Sequence, residues 1–481
     1  MNQPTFEPTW DSLKQYTCPD WFRDAKFGIW AHWGPQCGPM VGDWYARNMY
    51  TQGHQQYEHH CRTYGHPSKF GYKDIIELWK GEKFDPEALI DLYKKAGARY
   101  FISMGVHHDN FDLWNSKHHR WNAVNFGPHR DIVGAWKKAA EAAGLRFGVT
   151  EHLERCWSWF NTNKGRDAYG PYAGVPYDGN DPAYEDLYFP QHDDTSPAYP
   201  ANPPEMWTQG WLKRIQDLVD AYEPDLLYSD GAVPFGEVGR QLVAHFYNVN
   251  MARHGGKLEA VYNLKDMREH DARTGRSHGD YVEGIGVRDM ERGVIDGICD
   301  TPWQTDTCIG RWFYDSRRTY KTPTQVVRLL VDIVSKNGNL LLNVTQRPDG
   351  TLDEIAEWTV REIGSWMDVN SEAIYGTRPW HQYSEGPTQL ATGHFAEEEK
   401  RDFTAQDFRF TTKGNTLYAI ALGWPEQEWL VKSLAGKDVK DVAVLGCAAP
   451  PEWSMTPEGL RVARPATQPC HTAWGLRIQL G

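Results

Sequence analysis

The stretch DPEALIDLYKKAGARYFISMGVHH, residues 85–108, contains one whole helix-to-strand unit. Asp85 followed by Pro86 marks a helix start. The carboxylate can accept from first-turn N–H groups, and the fixed φ of proline suits the first helical position. Gly97 ends that helix, and Tyr100–Val106 reads as an apolar strand. The strand delivers two histidines, His107 and His108, to its carboxyl end.

The same unit recurs on both sides. Phe27–His32 reads as a first strand. Arg130–Ala143, stopped by Gly144, precedes the strand Leu145–Thr150, and Met206–Tyr222 precedes Asp225–Ser229. Arg240–Arg253 is followed by Leu258–Tyr262, and Thr324–Lys336 by Asn339–Val344. Such alternation from about residue 20 to 345 predicts a parallel sheet wrapped by helices, a (β/α)8-like barrel. Active groups are then expected at the carboxyl ends of the strands, where His32, His107, His108, Glu151, His152, Asp230 and Asn263 stand. Residues 155–205, rich in Tyr, Pro, Asp and Gly, read as one long functional loop.

After the helix Glu354–Asn370 the texture changes. Phe408–Thr412, Thr416–Ala421, Glu428–Val431 and Val442–Leu445 are short, alternating and punctuated by Gly and Pro. These predict a C-terminal antiparallel β-sandwich over 376–481, behind a barrel domain over 1–375. A chain of 481 residues accommodates both.

Composition narrows the function. Apolar residues make up 40% of the chain, enough for a large core, but no run of 18 apolar residues suggests a membrane span. Residues 1–8 show no basic-then-apolar leader. The sequence itself specifies neither compartment nor oligomeric state. A net charge of −13 without a Lys/Arg block disfavours a nucleic-acid partner. The eight cysteines form no C-x-x-C pair, so neither a zinc knuckle nor a dense disulfide framework is expected. The 22 tryptophans and 24 tyrosines are in part ordinary core, but flat aromatic faces also pack on the C–H faces of sugars.

Two carboxylates are needed for glycosyl transfer. Asp230 closes an apolar strand in PDLLYSDG (224–231), with Gly231 free to turn the chain; a nucleophile and a simple capping aspartate read equally well there. For the proton donor, residues 283–306 offer Glu283, Asp289, Glu291, Asp296, Asp300 and Asp306, and the pattern alone does not choose among them. His107 and His108 as neighbours on a strand would point to opposite faces and chelate one metal poorly, so hydrogen bonding to hydroxyls fits better. No H-E-x-x-H, Walker or G-x-S-x-G pattern is present.

Several segments in consistent order resemble the α-L-fucosidases of glycoside hydrolase family 29. They are WFRDAKFGIWAHWGP (21–35), HHDNFDLW (107–114), RDIVG (130–134), PDLLYSDG (224–231), PWQTDTCIG (302–310), LVDIVSKNGNLLLN (330–343) and AIYGTRPW (373–380). The resemblance implies a retaining exo-fucosidase with Asp230 as nucleophile and Glu291 as acid/base. His32, His107 and His108 match residues that bind fucose hydroxyls. Trp44 matches an aromatic beside the ring, and Trp312 one near the C6 methyl.

The chain departs from the common pattern at four places. Asp43 stands where many members carry Glu, Tyr228 where Trp is frequent, and Lys265 where some have Arg. Glu151-His152 replaces a Tyr-rich pair, which makes Glu151 a rival to Glu291. Asp43, Tyr228 and Lys265 are expected among the substrate contacts. The implied partner is a fucosylated oligosaccharide or glycoconjugate, not nucleic acid or membrane, and no metal or organic cofactor is implied.

Overall fold

The computed structural model describes residues 5–396 and 402–481; residues 1–4, part of the stretch read for a leader, lie outside the described residues. Eight parallel strands close into a barrel: β1 (Phe27–Ala31), β2 (Tyr100–Val106), β3 (Arg146–Glu151), β4 (Leu226–Ser229), β5 (Val261–Lys265), β6 (Val287–Asp289), β7 (Trp303–Cys308) and β8 (Gly338–Asn343). Pairing of Phe27 with Leu340 and of Trp30 with Asn343 closes the ring between β1 and β8.

Alternation along the strands separates two packed layers. Phe27, Ile29, Phe101, Phe147, Val149, Leu227, Leu340 and Leu342 face outward into the helices. Trp30, Tyr100, Ile102, Leu226, Tyr228, Val261, Val287 and Leu341 fill the interior, so the barrel is a plugged core and not a pore. Gly28 is required for this filling, because a Cβ there would sit 2.3 Å from the Tyr100 ring. That ring crosses the barrel, and its hydroxyl bonds Gln304 on β7 at 3.0 Å.

The surrounding helices begin as their caps dictate. Asp85 accepts from the Ala88 amide ahead of the helix Pro86–Lys95, and Asp131 accepts from Gly134 ahead of Ile132–Ala142. Thr322 and Gln325 form a reciprocal capping box on Pro323–Ser335. Each such cap contributes about 1 kcal/mol.

Some expectations need correction. The strand expected over Leu258–Tyr262 runs over Val261–Lys265, which buries Asn263 inside β5 and puts Lys265 at its end. β6, in the stretch 283–306 to which the sequence assigned no strand, is a three-residue strand. β7 was not foreseen, because its inward residues, Gln304 and Asp306, are polar. Residues 155–205 are not one plain loop. Short helical turns at Cys156–Trp159, Phe160–Lys164 and Glu185–Tyr188 bury Trp157, Trp159, Phe160 and Tyr188.

Beyond the helix Glu354–Asn370, β9 (Arg378–Glu385), β10 (Phe408–Lys413), β11 (Thr416–Ala421), β12 (Glu428–Val431), β13 (Val439–Val444), β14 (Trp453–Thr456), β15 (Gly459–Ala463) and β16 (Trp474–Leu480) make two antiparallel sheets. Their orders are β13-β16-β11-β10-β9 and β12-β15-β14. Phe408, Phe410, Trp429, Leu434 and Leu476 form the core between them.

The sandwich is bolted to the barrel through the helix Pro323–Ser335. Asp332 on that helix is fully buried and meets Arg409 of β10 at 2.5 Å and Lys336 at 2.9 Å. Burial alone would raise the Asp332 carboxyl, but the two cations hold it below its usual value. All eight cysteines are free thiols. Among the described residues, no helix is long and apolar enough to cross a membrane.

Candidate active site

A cavity of about 250 Å³ opens at the carboxyl ends of the strands, below the ~300–1,000 Å³ of drug-sized pockets and suited to one sugar ring. Its floor is the top layer of the barrel plug, Trp30 and Tyr228. Strand ends supply His32, His107, His108, His152, Asp230 and Lys265, as barrel geometry requires. The loop after β6 contributes Glu291, β7 contributes Asp306, and Trp44 and Trp312 lie on the wall. A second hollow, around Arg99, Arg146 and Tyr375, lies at the opposite end of the barrel and shares no residue with this one.

Asp230 is the most heavily engaged carboxylate in the cavity. Its Oδ1 accepts from Lys265 Nζ at 2.7 Å. Its Oδ2 lies 3.1 Å from Arg155 and 3.5 Å from both His108 Nε2 and His152 Nδ1. Burial by itself would raise this carboxyl. Arg155 first, and then Lys265, hold it well below the ordinary carboxylate range, so it is an anion.

Lys265 is 1% exposed and donates a second bond, 2.6 Å to Glu291 Oε2. Two oxygens held by one nitrogen lie no farther apart than those distances laid end to end, about 5.3 Å. Behind them, Asp306 accepts from the Tyr228 hydroxyl at 2.8 Å and lies 3.9 Å from Lys265. Asp289 shares a hydrogen bond with Asp306. Burial and that neighbour's charge push Asp289 far above its usual value, leaving it protonated.

The histidines are pre-oriented. His107 Nδ1 accepts from Gln36 Nε2 at 2.8 Å, which places its proton on Nε2 in the neutral ring. His108 Nδ1 donates to the His152 carbonyl at 2.6 Å, which leaves Nε2 as an acceptor. Both ring nitrogens of buried His32 lack a protein partner. Burial keeps His32 and His107 neutral, and lowers His108 to about 4. The expectation that His107 and His108 diverge is corrected: the strand ends at Val106, and their ring centroids are 4.2 Å apart. With His152 they bring three nitrogens within 4.8 Å of one another, a grouping able to hold a metal ion.

Asp43, expected as a substrate contact, and Glu151, expected as a rival to Glu291, take other roles. Asp43 does not reach the cavity wall; its carboxylate accepts from the Phe313 amide at 2.7 Å and so tethers the segment carrying Trp312. Burial raises that carboxyl to about 6. Glu151 also turns away from the cavity. It accepts from the Ser229 hydroxyl at 2.6 Å, the Trp211 indole at 3.1 Å and the Leu153 amide at 3.2 Å, which removes it as a rival proton donor.

Trp30, Arg155, His152, Asp306, Met267, His270, Arg276, His278 and Phe395 also line the cavity without having been foreseen as contacts. For His152 the strand-end position was a usable signal. Trp30 reads as core, and nothing local marks Arg155 or Phe395.

A sequence model described as α-L-fucosidase matches residues 1–372, and one described as the α-L-fucosidase C-terminal domain matches residues 400–479. The α-L-fucosidase of Branchiostoma floridae is 27% identical, with 99% of this chain and 96% of that protein aligned. The human tissue α-L-fucosidase is 26% identical over 98% of this chain and 91% of that protein. Among solved structures, the Thermotoga maritima α-fucosidase in complex with fucose superposes with a TM-score of 0.74 at 28% identity, covering 98% of this chain and 99% of that one. The same enzyme with a mechanism-based inhibitor gives 0.75 at 28% identity, over 98% of this chain and 100% of that one. With both halves matched and the barrel-mouth cavity built as described, the chain belongs to the α-L-fucosidases of glycoside hydrolase family 29.

Proposed function

We propose that this α-L-fucosidase is a retaining exo-enzyme that removes terminal α-L-fucosyl residues from glycans by double displacement, with Asp230 as nucleophile and Glu291 as acid/base. The observation that carries this reading is the bridge of Lys265 to both carboxylates, at 2.7 and 2.6 Å. Retaining glycosidases separate the pair by about 5–5.5 Å, whereas inverting ones leave ~6.5–9.5 Å for a water. The bridge keeps the two bridged oxygens no more than about 5.3 Å apart, short of the inverting range, which supports the retaining reading.

In the first step the ionised Asp230 oxygen attacks the anomeric carbon as the C1–O bond to the aglycone breaks. Glu291 gives its proton to the departing oxygen, while Lys265 holds its Oε2. In the second step Glu291 takes a proton from water, whose oxygen displaces Asp230 and restores the original anomer. His107 offers a donor and His108 an acceptor to the fucose hydroxyls, and His32 has both nitrogens unengaged. Trp312, 5.3 Å from Trp30 between ring centroids, gives the C6 methyl an apolar wall.

The test is the Asp230→Gly enzyme on an aryl α-L-fucoside with and without azide. Loss of hydrolysis and recovery as β-fucosyl azide is the expected result. Unchanged hydrolysis by Asp230→Gly would discard the nucleophile assignment.

A further inference from the structure

Phe395 is an anomaly for a surface aromatic. It is 53% exposed, lines the cavity, and is held at φ 59, a left-handed conformation that a bulky L-residue rarely adopts. It belongs to the segment between β9 and β10, so the sandwich half of the chain reaches back to the barrel mouth.

The segment is docked on the Glu291 loop through its backbone. The Phe395 amide donates to the Glu291 carbonyl at 2.9 Å, and the Glu291 amide donates to His394 Nδ1 at 3.0 Å. The Gly393 amide donates to the Val294 carbonyl at 2.8 Å. Contact is so close that a Cβ on Gly293 would lie 1.8 Å from the Gly393 carbonyl oxygen. An aromatic tied to the backbone of the acid/base stands on the leaving-group side of the scissile bond, because the acid/base faces the departing oxygen.

We propose that residues 386–396 form the leaving-group wall of the site, with Phe395 as its platform and His394 as a positioning residue for Glu291. The aglycones taken are those with a flat apolar face, namely the C–H face of a pyranose or an aryl ring. The assignment rests on the fucosidase reading, since it needs Glu291 to face the aglycone. A half-exposed ring at a strained φ gains burial when such a face covers it.

The experiment compares kcat/KM for a fucosyl-pyranose disaccharide, an aryl α-L-fucoside and α-L-fucosyl fluoride, whose leaving group has no face to stack. For Phe395→Ala, the loss on the disaccharide and the aryl fucoside exceeds the loss on the fluoride by about five- to tenfold, mainly in KM. Phe395→Tyr restores most of the difference. Equal losses on all three substrates, with wild type active on all, overturn the leaving-group wall alone. Wild type inactive on all three overturns the fucosidase reading and this assignment with it.

Discussion

Lys265 and Asp230 form a buried ion pair, 2.7 Å from ammonium to carboxylate, at the ends of adjacent barrel strands. With Arg155 it keeps the proposed nucleophile anionic against the cost of burial. Lys265→Met keeps much of the side-chain length and deletes the charge. The expected result is a kcat/KM lower by about 10²–10³-fold. The acid limb of its pH profile should move upward, because the folded Asp230 carboxyl rises when a cation leaves. A profile with an unmoved limb would show that Arg155 alone sets the Asp230 charge.

Glu291 is expected to show leaving-group dependence. Glu291→Ala should lose about 10²–10⁴-fold on a glycan, where the departing alkoxide needs a proton. On an aryl fucoside with an activated phenolate the loss should be much smaller. Initial rates on the two substrates check this, and equal losses would assign Glu291 to another task.

Much of this was legible in the chain because local rules and the fold agree. The units at 85–106 and 130–151 carry caps, glycine stops and apolar strands, and they appear within a residue or two of expectation. β7 was hidden because a barrel strand that turns Gln304 and Asp306 inward has no apolar alternation to read. The strand-end positions of His32, His107, His108 and Asp230 pointed to the cavity. Glu151 also closes a strand, and the family resemblance pointed to Asp43, yet Phe313, Ser229 and Trp211 claim their oxygens. Those partners come from distant segments. Phe395 is the extreme case: it reaches Glu291 only because the sandwich docks on the barrel.

That docking has its own energetic test. Asp332 and Arg409 are both at most 2% exposed and pair across the junction at 2.5 Å. Arg409→Ala leaves Asp332 with Lys336 alone, and breaking a buried pair in this way costs about 3–5 kcal/mol. Denaturant unfolding should show that loss. A change under about 1 kcal/mol would mean that Lys336 and solvent suffice for Asp332.

His394 connects the two halves to pH. Its Nδ1 accepts from the Glu291 amide, so the ring must be unprotonated there. Burial first, and then the nearby Lys265 charge, lower His394 to about 4, against about 6.5 in the unfolded chain. The folded state therefore resists a proton that the unfolded state accepts. The stabilisation from neutral His394 is fully present above about pH 6.5 and is lost as pH falls towards 4. His394→Asn retains an acceptor for the amide but has nothing to titrate. The stability of wild type minus that of His394→Asn should fall between pH 6.5 and 4, by up to about 1.4 kcal/mol per unit. All other titrating groups are common to both proteins and cancel in the difference. His394→Leu, which removes the acceptor, should lower kcat on every substrate at neutral pH, while His394→Asn keeps most of it. A pH-independent stability difference, or equal activity of the Asn and Leu variants, would mean that the imidazole does not position Glu291.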